Sequence, residues 1–247
     1  MTSKPIPIRP VSLECRTCGA GAPVDEHFCP QCSRILALGR HGDYFTFFGL
    51  ERRLRLEPQD LERRFRELSR KFHPDYYYNA PASERLASLE RASYLNDAYR
   101  VLRSLPSRVE YLLSLEGLPP ARDQEGQAKV PAALLEEVFA LNEELDEIRT
   151  MREGGADPAM LRARIEAART PIERKRDEHE QQLETLSMRW DDLATAAPDG
   201  ATSAATDAAT LDARRATLTA LRDQLLERHY IQNLLATIEQ ELQHAGA

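Results

Sequence analysis

No uncharged apolar run in the chain approaches the ~18 residues that a membrane-spanning helix requires, so nothing reads as an anchor. The opening Met1-Thr-Ser-Lys-Pro-Ile-Pro has neither the apolar core nor the cleavage site of a secretory leader. It is also not an Arg- and Ser-rich organelle leader, and a cytoplasmic protein is expected. A basic excess is missing too: 33 Lys and Arg face 40 Asp and Glu, a net charge of −7, which argues against broad electrostatic binding to nucleic acid. Cysteine is absent after Cys32, which excludes a scattered disulfide framework. There is no repeat of 20 to 50 residues, no Gly-rich phosphate loop and no nucleophile elbow. His179-Glu180-Gln181-Gln182-Leu183 stops short of the zinc-protease pattern, because Leu183 stands where the second histidine belongs. His41, His179, His229 and His244 read as surface residues and Trp190 as a packing anchor, so no catalytic activity is expected.

What is present is 247 residues with 42% hydrophobic and 30% charged side chains, enough apolar surface for one or two domains. Residues 1–10 are Pro-rich and aperiodic, a loose tail. From Asp43 onward apolar residues recur at helical spacing between Pro and Gly punctuation, and no strand-period segment follows residue 40. The expected fold is all-α. The organisation is a tail and cysteine module over 1–40, short helices over 41–118, a polar Gly- and Pro-bearing linker at 119–130, and a three-helix bundle over 131–247. The bundle helices run from Pro131 to about Arg152, Pro158 to about Thr195 and about Ala208 to Gln243. Pro171 predicts a kink or break near Ala167 to Thr170.

Cys15-x2-Cys18 and Cys29-x2-Cys32 supply two thiolate pairs whose short loops each cover one face of a tetrahedral ion, with Gly19-Ala20-Gly21 permitting a tight turn. A closed set of four soft ligands with no open position points to structural zinc. An iron-sulfur site uses the same ligands, and Cys29-Pro30-Gln31-Cys32 resembles a redox pair, although the βαβ pattern expected beside one is absent. His27 reads as a surface loop residue. A zinc-dependent nucleic-acid binder is disfavoured, because residues 11–38 hold only Arg16 and Arg34 against Glu14, Asp25 and Glu26. The module is expected to stabilise the fold or to form a dimer contact.

Pro58 to Phe72 predicts an amphipathic helix with Leu61, Phe65, Leu68 and Phe72 as its core stripe. Between and beside them lie Arg63, Arg64, Arg66, Arg70 and Lys71 against Glu62 and Glu67, a local +5 − 2 = +3. His73-Pro74-Asp75 ends the helix, because the residue before proline is pushed out of helical geometry. A second helix is expected from about Ala82 to Leu102. On the Pro131 helix Leu134, Val138, Leu141, Leu145 and Ile148 form the buried stripe. Leu135 and Phe139 fall off it, and Glu143 and Glu147 continue their row, a pattern that suggests a protein interface.

A basic helix, His-Pro-Asp, a loop and an antiparallel partner helix resemble the J-domain, the module by which co-chaperones stimulate ATP hydrolysis in chaperones of the DnaK class. Asp43-Tyr-Phe-Thr-Phe-Phe-Gly-Leu50, Arg108-Val-Glu-Tyr-Leu-Leu-Ser-Leu-Glu-Gly117 and Asn142-Glu-Glu-Leu-Asp-Glu-Ile148 resemble segments of the HscB family, dedicated co-chaperones of iron-sulfur cluster assembly. The four-cysteine extension resembles that of eukaryotic and some bacterial members. The resemblance implies that His73, Pro74 and Asp75 contact a DnaK/HscA-class ATPase. It also implies that Arg63, Arg64, Arg66, Arg70 and Lys71 attract that chaperone, and that Leu135, Phe139, Glu143, Glu147 and Tyr230 hold an IscU-type scaffold. The alternative is a general J-domain co-chaperone for unfolded clients, which the missing Gly/Phe-rich linker opposes. Two departures from the family pattern are Glu136, where an apolar contact is familiar, and Ala140, where a carboxylate is.

Overall fold

The apolar spacing becomes seven helices in the computed structural model, which describes residues 12–23, 26–38, 43–118, 134–196 and 208–245. They are α1 (Tyr44–Phe47), α2 (Pro58–Phe72), α3 (Ala82–Leu102), α4 (Leu105–Leu115), α5 (Leu135–Glu153), α6 (Pro158–Ala196) and α7 (Ala208–His244). Before them a two-stranded antiparallel ribbon pairs β1 (Ser12–Glu14) with β2 (Gly21–Pro23), Leu13 opposite Ala22. The residues 1–10 expected as a tail, the 119–130 linker and His41 lie outside the described residues. The chain divides into two units, Met1–Arg108 and Val109–Ala247.

In the first unit α2 and α3 pack as a helical hairpin. Leu61, Leu68 and Phe72 of α2 meet a buried stripe of α3 that includes Ala87, Leu95, Ala98 and Leu102. Phe65 is half-buried and stacks on Tyr99 with ring centroids 4.2 Å apart. Each fully buried large side chain contributes about 1.5–3 kcal/mol relative to exposure. Arginines pin the connection leading into α2. Arg64 Nη1 donates to the Phe48 and Gly49 carbonyls at 3.0 Å each, and Arg108 donates to Leu54 O and, at 2.8 Å, to Leu102 O. Asp43, itself buried, caps α1 by accepting from Thr46 N–H at 2.8 Å and pairs with Arg52 at 2.6 Å.

In the second unit α5, α6 and α7 form a three-helix bundle with neighbouring helices antiparallel. Leu134, Leu141, Leu145 and Ile148 of α5 share one core with Leu161, Ile165 and Ile172 of α6 and Ile231, Ile238 and Leu242 of α7. Gly155, at φ +78°, makes the tight α5–α6 turn that other residues would strain to adopt. Arg149 and Arg152 of α5 clamp the buried carboxylate of Glu241 on α7 at 2.7 and 3.1 Å.

Two sequence-based expectations are corrected here. Of the kink or break expected at Pro171, the break does not occur, since α6 is continuous from Pro158 to Ala196. Ile165 and Ile172 on either side are buried in the bundle core, and their burial offsets the roughly 3 kcal/mol a mid-helix proline costs. His179 is not a surface residue either. It is 4% exposed and its Nε2 donates to the Gln224 carbonyl of α7 at 2.6 Å. Beyond it Trp190 is buried with the Arg214 guanidinium 5.0 Å from its ring centre.

Candidate metal centre and partner-binding faces

The four cysteines sit on two turns of the same construction. In the first, Cys15 N–H donates to Ala20 O and Gly19 N–H to Cys15 O, both at 2.8 Å. In the second, Cys29 N–H donates to Arg34 O at 2.8 Å and Ser33 N–H to Cys29 O at 2.9 Å. The fifth residue of each turn is left-handed, Gly19 at φ +74° and Ser33 at φ +56°, and this bends the chain back over its own thiolates.

The Cys15 and Cys32 sulfurs are 3.6 Å apart, as are those of Cys18 and Cys29, and all four lie within 4.8 Å of one another. A tetrahedron of sulfurs about 2.3 Å from a central ion has edges of about 3.8 Å, so the set fits a four-thiolate ion. The backbone N–H groups of Cys18 and Thr17 pull Cys15 down to about 6, and the N–H of Cys32 pulls Cys29 down as well, both against burial. Although the N–H groups of Ala20 and Arg34 favour their thiolates, burial and the adjacent sulfurs hold Cys18 up and Cys32 at about 12. Four neighbouring thiolates therefore require a cation to neutralise them. These residues could bind a metal ion.

His27, expected at the surface, is instead wedged between the cysteine module and the helices. Its Nε2 donates to Phe47 O at 3.0 Å, its Nδ1 lies 2.7 Å from Arg91 Nη1, and its ring meets those of Phe47 and Phe72 edge-on. Burial first, and then the Arg91 charge, push its pKa down to about 4, so the ring is neutral. With Nε2 donating, neutral Nδ1 accepts from Arg91.

His73 caps the end of α2 at φ −59°, ψ 125° and leads into a 3-10 turn over Pro74–Tyr77. Its Nδ1 accepts from Asp75 N–H at 3.3 Å, and His73 and Asp75 are exposed. Tyr76 and Tyr78 stand out beside them at 74% and 79% exposure. Ser88 Oγ donates to the Phe72 carbonyl at 2.7 Å and Tyr77 O–H to Lys71 O at 3.0 Å, tying the corner to both helices.

The five cations of α2 are unequal. Arg63 pairs with Asp60 and, at 2.9 Å, with Glu67; Arg64 pairs with Asp60 at 2.8 Å; Arg66 pairs with Glu62 at 2.5 Å. Asp60 belongs to α2 as well, so the helix carries 5 − 3 = +2 rather than the +3 counted without it. Among the described residues Arg70 and Lys71, in the last turn beside His73, have no carboxylate within ion-pair distance.

On α5, Leu135 and Phe139 are 39% and 70% exposed. Glu143 and Glu147 continue the exposed row, Glu147 held by Arg164 at 2.7 Å, and Glu136 and Ala140 are exposed too. Tyr230 of α7 is half-buried and packs against the bundle core. The wider-core alternative for Leu135 and Phe139 is thereby excluded, whereas Tyr230 contributes to packing.

Two residues with central places in the first unit escaped sequence reasoning, His27 and Arg91. A signal existed for the second: Arg91 stands on the stripe Ala87, Leu95, Ala98 and Leu102, where an apolar residue is expected.

No protein-family model matches the chain. The crystal structure of human co-chaperone protein HscB aligns over 93% of this chain and 98% of its own, with a TM-score of 0.64 and 23% identity. The chain has the HscB fold. A second structure, chaperone HscB from Vibrio cholerae, covers 82% of this chain and 99% of its own at 26% identity and a TM-score of 0.53. In HscB terms α2 and α3 are the J-domain hairpin, α5 to α7 the C-terminal bundle, and the paired cysteine turns a small N-terminal module. Among the described residues no helix is long and apolar enough to cross a membrane.

Proposed function

We propose that the chain is a co-chaperone of iron-sulfur cluster assembly, without catalytic activity of its own. Its J-domain stimulates the ATPase of a DnaK/HscA-class chaperone, and its bundle presents an IscU-type scaffold to that chaperone. The observation that carries this reading is the pairing of two exposed, chemically different faces on the HscB fold. One is the His73-Pro74-Asp75 corner; the other is the Leu135/Phe139 row leading into Glu143 and Glu147. Holding client and ATPase on one chain raises their effective concentration, and the corner delivers the signal for hydrolysis.

Arg70 and Lys71 dominate the attraction of an acidic chaperone surface, because Arg63, Arg64 and Arg66 are already paired with carboxylates. Tyr230 supports the scaffold face from within the bundle rather than through a fully open ring. Zinc held by Cys15, Cys18, Cys29 and Cys32 supplies a cross-link that closes the N-terminal module. The test is steady-state ATP hydrolysis by the partner chaperone with full-length protein. Asp75→Asn is expected to reduce stimulation at least tenfold while leaving scaffold binding unchanged; unaltered stimulation overturns the reading.

A further inference from the structure

Arg91 is 2% exposed, and among the described residues no carboxylate lies within ion-pair distance of it. Its guanidinium is held by the segment that carries the second cysteine pair. Nε donates to Leu36 O at 2.8 Å, Nη1 to His27 Nδ1 at 2.7 Å, and Nη2 to Glu26 O and Ala37 O at 3.1 Å each. These acceptors bracket Cys29 and Cys32 on both sides. The other face of the same guanidinium covers Phe72, 5.7 Å from the ring centre, and Phe72 is the residue before His73. His27 touches Phe72 edge-on at 5.0 Å, and Phe28 stacks on it at 6.0 Å.

A buried cation without a carboxylate partner is costly unless every donor is satisfied, and here satisfaction depends on three loop carbonyls and one imidazole holding fixed positions. Those positions are set by the turn that Cys29 and Cys32 close. We propose that Arg91 is a positioning residue that couples the four-cysteine site to the His73-Pro74-Asp75 corner, so that an ion on the cysteines fixes the backbone geometry the chaperone reads. The chain of contacts is the metal-closed loop, then Arg91 and His27, then Phe72, then the corner. Removing the ion frees the loop carbonyls, leaves the guanidinium buried and unpaired, and loosens the packing that aims His73. Lysine does not replace Arg91, since its point charge lacks the planar fork that reaches four acceptors at once.

That the corner speaks to a chaperone rests on the reading above; the coupling itself does not, and the experiment separates them. Full-length protein is prepared with zinc, without zinc under reducing conditions, and as Arg91→Gln and His27→Gln with zinc. Amide hydrogen exchange is followed over residues 72–80, beside ATPase stimulation titrated to saturation. Zinc removal is expected to speed exchange at the corner by about tenfold or more and to raise the half-saturating concentration while leaving maximal stimulation in place. Arg91→Gln with one equivalent of zinc bound is expected to behave as the zinc-free protein already does, and zinc removal is then expected to change it little. Corner exchange in the wild type that is insensitive to zinc overturns the coupling, as does an Arg91→Gln protein that exchanges and responds to zinc like the parent. Should Arg91→Gln fail to fold, His27→Gln and the wild-type zinc comparison decide on the same criteria. An absence of ATPase stimulation by any form, with zinc-dependent exchange intact, refutes the chaperone reading and leaves the coupling standing.

Discussion

Phe139→Ala separates packing from binding on the α5 face. The side chain keeps 70% of its surface in water. A phenylalanine carries roughly 200 Å² of burial area, so a docking partner can cover about 140 Å² more. At ~25 cal/mol per Å² this amounts to about 3.5 kcal/mol, an upper figure because alanine keeps part of the area and association costs side-chain freedom. A loss of about 2 kcal/mol, or roughly thirtyfold in Kd, is the expected outcome for an interface anchor. Folding stability should move by no more than about 0.5 kcal/mol, since an exposed helical position leaves no cavity. The assay is isothermal titration of full-length protein with an IscU-type scaffold, paired with urea unfolding of the same variant. An affinity within threefold of the parent, or a stability loss above about 1.5 kcal/mol, refutes the reasoning, because the ring would then be packing rather than binding.

Ile165→Ala, at a fully buried bundle position, should cost about 2–5 kcal/mol in urea unfolding of the C-terminal unit, through lost transfer energy and a residual cavity. Glu241 offers a pH test. Burial alone would raise its carboxyl, but hydrogen bonds and charge from Arg149 and Arg152 outweigh burial and hold it below the ordinary 4.5. A depressed carboxyl stabilises the fold above its unfolded value and loses that contribution as pH falls through the folded one. Glu241→Gln should therefore flatten the acid limb of the bundle's stability profile, and an unchanged limb counts against the clamp. Cys18→Ser should lower zinc from one equivalent toward none by elemental analysis, and retention of a full equivalent would show that three thiolates suffice.

The parts legible in sequence were those decided by local periodicity. The α2 stripe, its stop at His73 and the exposure of Leu135 and Phe139 off the α5 stripe all follow from residue spacing along one helix. What escaped depended on partners distant in the chain. His27 looks like any loop histidine until Phe47 O and Arg91 arrive from elements beyond it, and His179 is buried because Gln224 O of α7 faces it. The break considered at Pro171 did not occur for a related reason. Propensity counts the lost hydrogen bond, whereas the bundle supplies burial on both sides of it. Arg91 shows the opposite lesson, since a charge placed on an apolar stripe was itself a readable sign of a buried acceptor set.

The unequal helix lengths of the bundle carry one more consequence. At 1.5 Å per residue α6 spans about 58 Å and α5 about 29 Å. Among the described residues of this unit, the core that α5 shares with α6 and α7 runs over Leu161 to Ile172 and Ile231 to Leu242. In the outer half beyond it, among the described residues of this unit, α6 and α7 pack on each other, with His179, Leu183, Trp190, Leu218 and Leu221 buried along them. Opening free energies should therefore grade along each helix, the outer half exchanging its amides first. A partner seated on α5 deepens protection where it rests and leaves the outer half's opening equilibrium as it was.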